Sequence, residues 1–164
     1  MEKINIVRAA DAQYAQHAVV TMVSVLCHAA HPEHMQFYLL ADQLSEQLQK
    51  DVHTSIEQNG AAVEIVPLSD KLLQGLYTSG QLSRTTYARL QMVDLLPEIV
   101  HRVLYLDCDM AVYDDLEKLW QMDLGAHPIG AVKDFGIMAS KKSWQQKRNM
   151  LGFHDGQLYF NAGL

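Results

Sequence analysis

The sequence holds 164 residues, 49% of them hydrophobic and 20% charged, which is the length of one ordinary domain with enough apolar surface to fold rather than stay disordered. Thirteen Lys and Arg against nineteen Asp and Glu give a net charge of −6, and with no basic stripe to neutralise a phosphate backbone a nucleic-acid surface is excluded. Two cysteines, Cys27 and Cys108, make no disulfide framework and suggest a reducing compartment. The opening Met-Glu-Lys-Ile-Asn-Ile-Val is no signal peptide, and the longest apolar stretch, around Ala18 to Cys27, is too short to span a bilayer, so a cytoplasmic protein with at most peripheral membrane contact is expected.

In chain order, strand and helix alternate. Ile4 to Val7 reads as a short strand leading into Arg8-Ala9-Ala10-Asp11, mostly small residues that let a ligand or backbone approach closely. Tyr14 to about Cys27 has apolar residues at helical spacing, with Val19, Met22, Val23 and Leu26 on one face. Gln36 to Leu40 is a second strand followed by Asp42; Ser45 is a candidate N-cap for a polar helix running to Gln58, and Asn59-Gly60 is its stop signal. Val63 to Val66 is a third strand, closed by Pro67. A β-α-β-α-β beginning requires crossover helices and so points to a mainly parallel sheet covered on both faces. Asp70 to Leu76 reads as a short helix, Tyr77 to Gly80 as a loop, and Ser83 to Leu96 as a helix with Tyr87, Leu90, Val93 and Leu96 at near-helical spacing before Pro97.

The stretch that follows, Arg102 to Met110, carries the chemistry. Val103-Leu104-Tyr105-Leu106 reads as a buried strand, and it ends in Asp107-Cys108-Asp109. If the extended geometry persists, Asp107 and Asp109 point the same way, at the strand end where open α/β sheets bind ligands. Hard divalent cations are commonly held by one or two carboxylates plus substrate phosphates, so a metal–diphosphate site is one reading; a plain turn or helix cap is the other. Further on, Asp115 to Trp120 is a helical turn, Ile129 to Val132 a strand ending at Lys133-Asp134, and Ser143 to Met150 a polar helix. Lys141, Lys142, Lys147 and Arg148 read as a solvated face, with weak attraction to an anionic membrane as the alternative. Leu158 to Leu164 looks like a strand beginning, which reads as the N-terminal portion of a longer protein. His154 and Asp155 read as surface loop residues, and the eight histidines show no metal-ligand spacing.

Six separated blocks then resemble one family. Ala9-Ala10-Asp11, Thr85-Thr86-Tyr87-Ala88-Arg89-Leu90, Val103-Leu104-Tyr105-Leu106-Asp107-Cys108-Asp109, Leu119-Trp120 with Asp123-Leu124-Gly125, Gly130-Ala131-Val132-Lys133-Asp134 and Tyr159-Phe160-Asn161-Ala162-Gly163 are similar, in family order, to the family 8 retaining glycosyltransferases. The family includes bacterial lipopolysaccharide glucosyl- and galactosyltransferases and the glycogenins. The resemblance implies an α/β, Rossmann-like nucleotide-diphospho-sugar transferase fold of GT-A type, with residues 1–164 as one UDP-sugar-binding domain incomplete at its C-terminus.

It further implies that Asp107 and Asp109 hold Mn²⁺, with Mg²⁺ as the alternative, against the diphosphate of a UDP-sugar, and that Cys108 contacts the nucleotide through its backbone. Ala9, Ala10 and Asp11 are expected to line the uridine pocket. Tyr14 falls where a uracil-stacking ring would sit, a core Tyr being the bland alternative. Arg89, on the helix before the acidic strand, can reach both a carboxylate and a phosphate or sugar oxygen, an ordinary salt bridge being its alternative. Asp134, Asn161 and Ala162 match donor-sugar positions, with strand-end caps as the alternative. The expected reaction is transfer of glucose or galactose from UDP-glucose or UDP-galactose to a saccharide acceptor such as lipopolysaccharide core, with catalytic residues and a third, histidine metal ligand falling beyond Leu164. Two rivals remain: a sugar nucleotidyltransferase, which calls for a Gly-rich loop that Arg8 to Ala12 lacks, and a non-catalytic UDP-sugar-binding remnant.

Overall fold

A computed structural model of the chain describes residues 3–69, 75, 77, 84–154, 157–161 and 163. It divides into two compact units, residues 1–122 and 123–164. In the first unit the elements run β1 (Ile4–Asp11), α1 (Ala15–His28), a 3₁₀ turn (Pro32–His34), β2 (Met35–Asp42), α2 (Glu46–Glu57), β3 (Ala62–Pro67), α3 (Arg84–Leu95), β4 (Leu104–Tyr105) and α4 (Glu117–Trp120).

Among the described residues the sheet has strand order β3-β2-β1-β4, with every pairing parallel. β1 and β2 pair along their full length, from Ile4 opposite Met35 to Asp11 opposite Asp42, so two acids close adjacent strands side by side. β1 is longer than expected, because Arg8 to Asp11 continue the ladder instead of leaving it. β1, β2 and β3 are laid down in one direction before the chain returns to place β4 on the other side of β1. The right-handed crossover rule then puts α1 and α2 on one face and α3 on the other. The gap between β1 and β4 is the topological switch point, where a ligand crevice opens outside the carboxyl ends of the strands.

The core forms because the strands are apolar on both faces. Val7, Ala9, Tyr38 and Leu40 alternate onto one face and bury against Ala88 of α3, with Met92, Leu95, Val103 and Tyr105 around them. The inner stripe of α3 is therefore Thr85, Ala88, Met92 and Leu95, whereas Leu90 and Val93, expected to face inward, are 77% and 82% exposed. Small Ala88 lets the helix approach the sheet, which a bulkier side chain would prevent. α2 starts as expected: Ser45 Oγ accepts from Leu48 N at 3.3 Å, and after the helix Gly60 takes φ +85°, a left-handed conformation that Gly adopts without steric cost. The Asp70–Leu76 helix lies outside the described residues, apart from Gly75.

The second unit contains α5 (Phe135–Ala139) and α6 (Lys141–Leu151). The strand expected at Ile129–Val132 does not form; among the described residues a single antiparallel bridge joins Lys133 to Phe160, and it is all that these show of the strand expected from Leu158. A strand needs a buried face, and Ile129, Val132, Leu158 and Phe160 are all 45% or more exposed here. Trp144 and Tyr159 lie against Phe153, and Lys147 Nζ sits 4.5 Å from the Tyr159 ring centre, a cation–π contact. No helix among the described residues is long and apolar enough to cross a membrane.

Candidate functional site at the switch point

β4 spans two residues, yet its backbone continues beside β1 for one step more, Leu106 N donating to Val7 O at 3.2 Å. The chain then turns at Cys108 and Asp109, so the extended geometry that would have aimed Asp107 and Asp109 alike is not kept. Instead Asp107, part-buried, precedes the turn and Asp109, exposed, lies within it. Cys108 sits in this turn rather than in a strand, its thiol donating to Ala9 O at 3.1 Å and pushed up by burial from its ordinary pKa.

Three side chains hold this turn in place. Arg89 Nη2 meets Asp107 Oδ1 at 3.0 Å, its Nε donates to Thr86 O at 3.1 Å, and its guanidinium lies 4.8 Å from the Tyr105 ring centre. A planar cation fixed at three points presents its charge to the carboxylate with little rotamer freedom to lose. Thr21 of α1, 1% exposed, faces the carbonyls of His17 (3.2 Å), Cys108 (2.9 Å) and Met110 (2.6 Å). One hydroxyl proton serves three acceptors, and the shortest contact ties the turn to the helix. Beyond the turn itself, Ser24, one helical turn after Thr21, accepts from Val112 N at 3.0 Å.

Arg8 is the third. It lies in β1, fully buried, with Nη2 donating to the Asp107 carbonyl, while among the described residues its Nε and Nη1 find no partner beyond the Cys108 thiol. Desolvation holds its pKa below the ordinary arginine value, opposed by the neighbouring Cys108, Tyr105 and Asp107. Asp107 is thus gripped from both sides, its carboxylate by Arg89 and its backbone by Arg8. The expected tract of small residues gave no warning of this; the available signal was the one charge in Ile4-Asn5-Ile6-Val7-Arg8-Ala9-Ala10. Thr21 and Ser24 carried no sequence signal, because a hydroxyl in an apolar helix is ordinary.

At the end of β1, Asp11 Oδ1 accepts from Gln13 N and Tyr14 N, both at 3.0 Å, and so shapes the turn into α1. Asp11, Ala12, Gln13, Asp42 and Gln43 line an open depression. Gln43 has φ +54°, an uncommon conformation for a side chain larger than Gly. Asp42 is paired with Arg84 at 3.4 Å, so two arginines of α3, Arg84 and Arg89, each reach an acid at the carboxyl end of the sheet. Ala9 and Ala10 are buried, so they offer a ligand closeness of approach rather than exposed surface. Tyr14 is 51% exposed, which rules out the core alternative for that ring.

In the second unit the bridge draws two predicted residues together: Asp134 N donates to Tyr159 O at 3.0 Å and Asn161 N to Val132 O at 2.8 Å. Asp134 Oδ1 caps α5 through Ile137 N at 2.9 Å, and Asn161 Oδ1 accepts from Gly163 N at 2.7 Å, so both spend one oxygen on local caps. Ala162 and Asp155 lie outside the described residues, and His154 is exposed.

The donor set at the turn suits a hard cation. Asp107 and Asp109 supply only carboxylate oxygens, and a carboxylate that has accepted one arginine bond still has lone pairs to give. Two acids do not close a coordination shell, which fits a cation completed by phosphate oxygens and not a cage built by protein alone.

The sequence model of the family described as Glycosyl transferase family 8 matches residues 5–164. The chain is similar to general stress protein A of Bacillus subtilis, at 25% identity over 164 residues, covering 99% of this chain and 55% of that protein. It is similar to the lipopolysaccharide 1,2-glucosyltransferase of Escherichia coli, at 28% identity over 164 residues, covering 99% and 47%. Among solved structures, the galactosyltransferase LgtC in complex with donor and acceptor sugar analogues superimposes with a TM-score of 0.84 at 32% identity, covering 98% of this chain and 56% of that one. The chain spans about half the length of these relatives.

Proposed function

This chain belongs to glycosyl transferase family 8 and has the GT-A α/β fold, and from that premise we propose that it forms the donor-binding part of a retaining hexosyltransferase. The donor is UDP-glucose or UDP-galactose, and the acceptor a saccharide such as lipopolysaccharide core. The observation that carries this reading is the grip on Asp107. A strand-end carboxylate at the switch point is fixed by Arg89 through its side chain and by Arg8 through its backbone, beside a second, exposed carboxylate.

In this reading Asp107 and Asp109 hold a divalent cation, Mn²⁺ or Mg²⁺, and the cation offsets the negative charge that develops on the departing UDP. Arg89 keeps the Asp107 carboxylate from turning back onto the protein. Thr21 holds the carbonyls of Cys108 and Met110 inward, which leaves the outer side of the turn for the nucleotide. The depression bounded by Asp11 and Gln13 takes the nucleoside, and the exposed ring of Tyr14 offers it a stacking face. In the second unit, Asp134 and Asn161 are the groups proposed to meet donor-sugar hydroxyls. Support for the sugar class comes from the names of the relatives, a lipopolysaccharide glucosyltransferase and a galactosyltransferase bound to donor and acceptor analogues.

Calorimetry of UDP binding to the chain tests this reading. With Mn²⁺ present UDP should bind, and chelation or Asp109→Asn should each weaken binding at least tenfold. UDP binding that survives Asp109→Asn unchanged in a folded chain refutes it.

A further inference from the structure

Away from the switch point the fold brings together a second set of metal-ligand side chains. Glu33 and His34 stand on the 3₁₀ turn that leads into β2 and His31 is the residue that opens it, and their ligand atoms all lie within 4.8 Å of one another. His31 Nδ1 is 3.2 Å from Glu33 Oε1 and His34 Nε2 is 4.0 Å from the same oxygen. The two imidazoles stack, with centroids 5.0 Å apart and planes 28° from parallel. The spacing His-x-x-His says little by itself. A 3₁₀ turn, at three residues per turn, eclipses residues i and i+3 and so puts both rings on one side.

The backbone beneath these groups is fixed from several directions. Pro32 occupies the first turn position, where its ring sets φ. Lys3 Nζ donates to Glu33 O at 2.6 Å, which leaves the carboxylate pointing elsewhere, and Asp115 Oδ2 accepts from Ala30 N at 2.9 Å. Gly60 sits against Pro32, close enough that a Cβ there would lie 3.8 Å from the Pro32 Cβ. A turn held this way keeps three ligands near one another with little ordering left to do on binding.

We propose that His31, Glu33 and His34 form a surface site for a first-row transition-metal cation of the zinc type. Bonds of about 2.0–2.2 Å in tetrahedral geometry separate ligand atoms by roughly 3.3–3.6 Å. The 3.2 Å pair is close to that separation, and the 4.0 Å pair reaches it by small rotations of the exposed Glu33 and the half-buried His34. Two neutral imidazoles with one carboxylate, and a fourth position open to water, select zinc and its neighbours over Mg²⁺ or Ca²⁺, which want oxygen alone. The site is independent of the Asp107–Asp109 turn. It precedes Met35, the first residue of β2, whereas the nucleotide end of the sheet lies past Asp42, about 23 Å along the strand at 3.3 Å per residue.

The test is calorimetric titration of the untagged chain with Zn²⁺ at neutral pH, without UDP or Mn²⁺, paired with thermal melts. One equivalent should bind with micromolar affinity and raise Tm by several degrees. His31→Ala and His34→Ala should each weaken binding at least tenfold while leaving the metal-free Tm and UDP affinity with Mn²⁺ unchanged, and Asp107→Asn with Asp109→Asn should leave Zn²⁺ binding intact. The proposal is overturned if no Zn²⁺ binds at a hundred micromolar, if binding survives the double histidine variant, or if it disappears with the two aspartates.

Discussion

Arg8→Met is the substitution in which stability and ligand binding should move in opposite directions. Methionine keeps much of the aliphatic bulk of arginine in a fully buried strand position, so packing changes little. The guanidinium it replaces has two nitrogens, Nε and Nη1, without a hydrogen bond, and the Cys108 thiol beside them is at best a weak acceptor. Each unsatisfied buried polar group costs about 1–3 kcal/mol, while the one charge-assisted bond to the Asp107 carbonyl returns about 1.5–3 kcal/mol. The balance favours methionine by roughly 1–2 kcal/mol, which for a chain of 164 residues means a Tm higher by about 2–8 °C.

The same change takes the donor from the Asp107 carbonyl and leaves Asp107 held by Arg89 alone. Amide hydrogen exchange over 107–110 should quicken, and UDP affinity with Mn²⁺ should fall about tenfold. Scanning calorimetry, exchange mass spectrometry and UDP titration on one preparation read all three, with Arg8→Lys intermediate. A lower Tm with proportionate loss of binding would make Arg8 a structural residue and refute the reasoning. A higher Tm with unchanged UDP affinity would refute its positioning of the turn.

Thr21→Val keeps side-chain shape but removes the hydroxyl shared by the Cys108 and Met110 carbonyls, and leaving these part-buried acceptors without it should cost about 1–3 kcal/mol. Thermal melts should show a drop of several degrees, and a drop under one degree would contradict the anchoring. The Tyr105 phenol is pushed up to about 12 by burial, with Arg89 pulling the other way. A raised folded value means the contribution is full below pH 10, the ordinary tyrosine value, and is lost as pH climbs towards 12. Urea midpoints between pH 9 and 12 should therefore fall more steeply for the native chain than for Tyr105→Phe, and identical slopes would refute the assignment.

How much of this was legible depended on whether a residue's role was local. The three crossover strands and Ser45 were readable because short apolar runs, turn residues and caps act within a few positions. The α3 face was misread because Leu90 and Val93 have the right spacing, whereas helix approach to the sheet was decided by the small residues Thr85 and Ala88. The Ile129 strand failed for a related reason: β-formers make a strand only where a neighbour covers them. At the site, Asp107, Asp109, Arg89 and Asp11 could be named because acids at strand ends and an arginine before them are visible types.

What holds them in place was not visible. Arg8, Thr21 and Ser24 reach Asp107, Cys108, Met110 and Val112 across 87 to 99 positions of sequence, and no spacing rule spans that distance. A different limit hid His31, Glu33 and His34, which are close in sequence but converge through a 3₁₀ turn and not on the α-helical period. A sequence thus exposes the groups proposed to meet a ligand more readily than those that fix them. For this chain the second set, above all a buried arginine with two idle nitrogens, is where substitution should separate binding from stability.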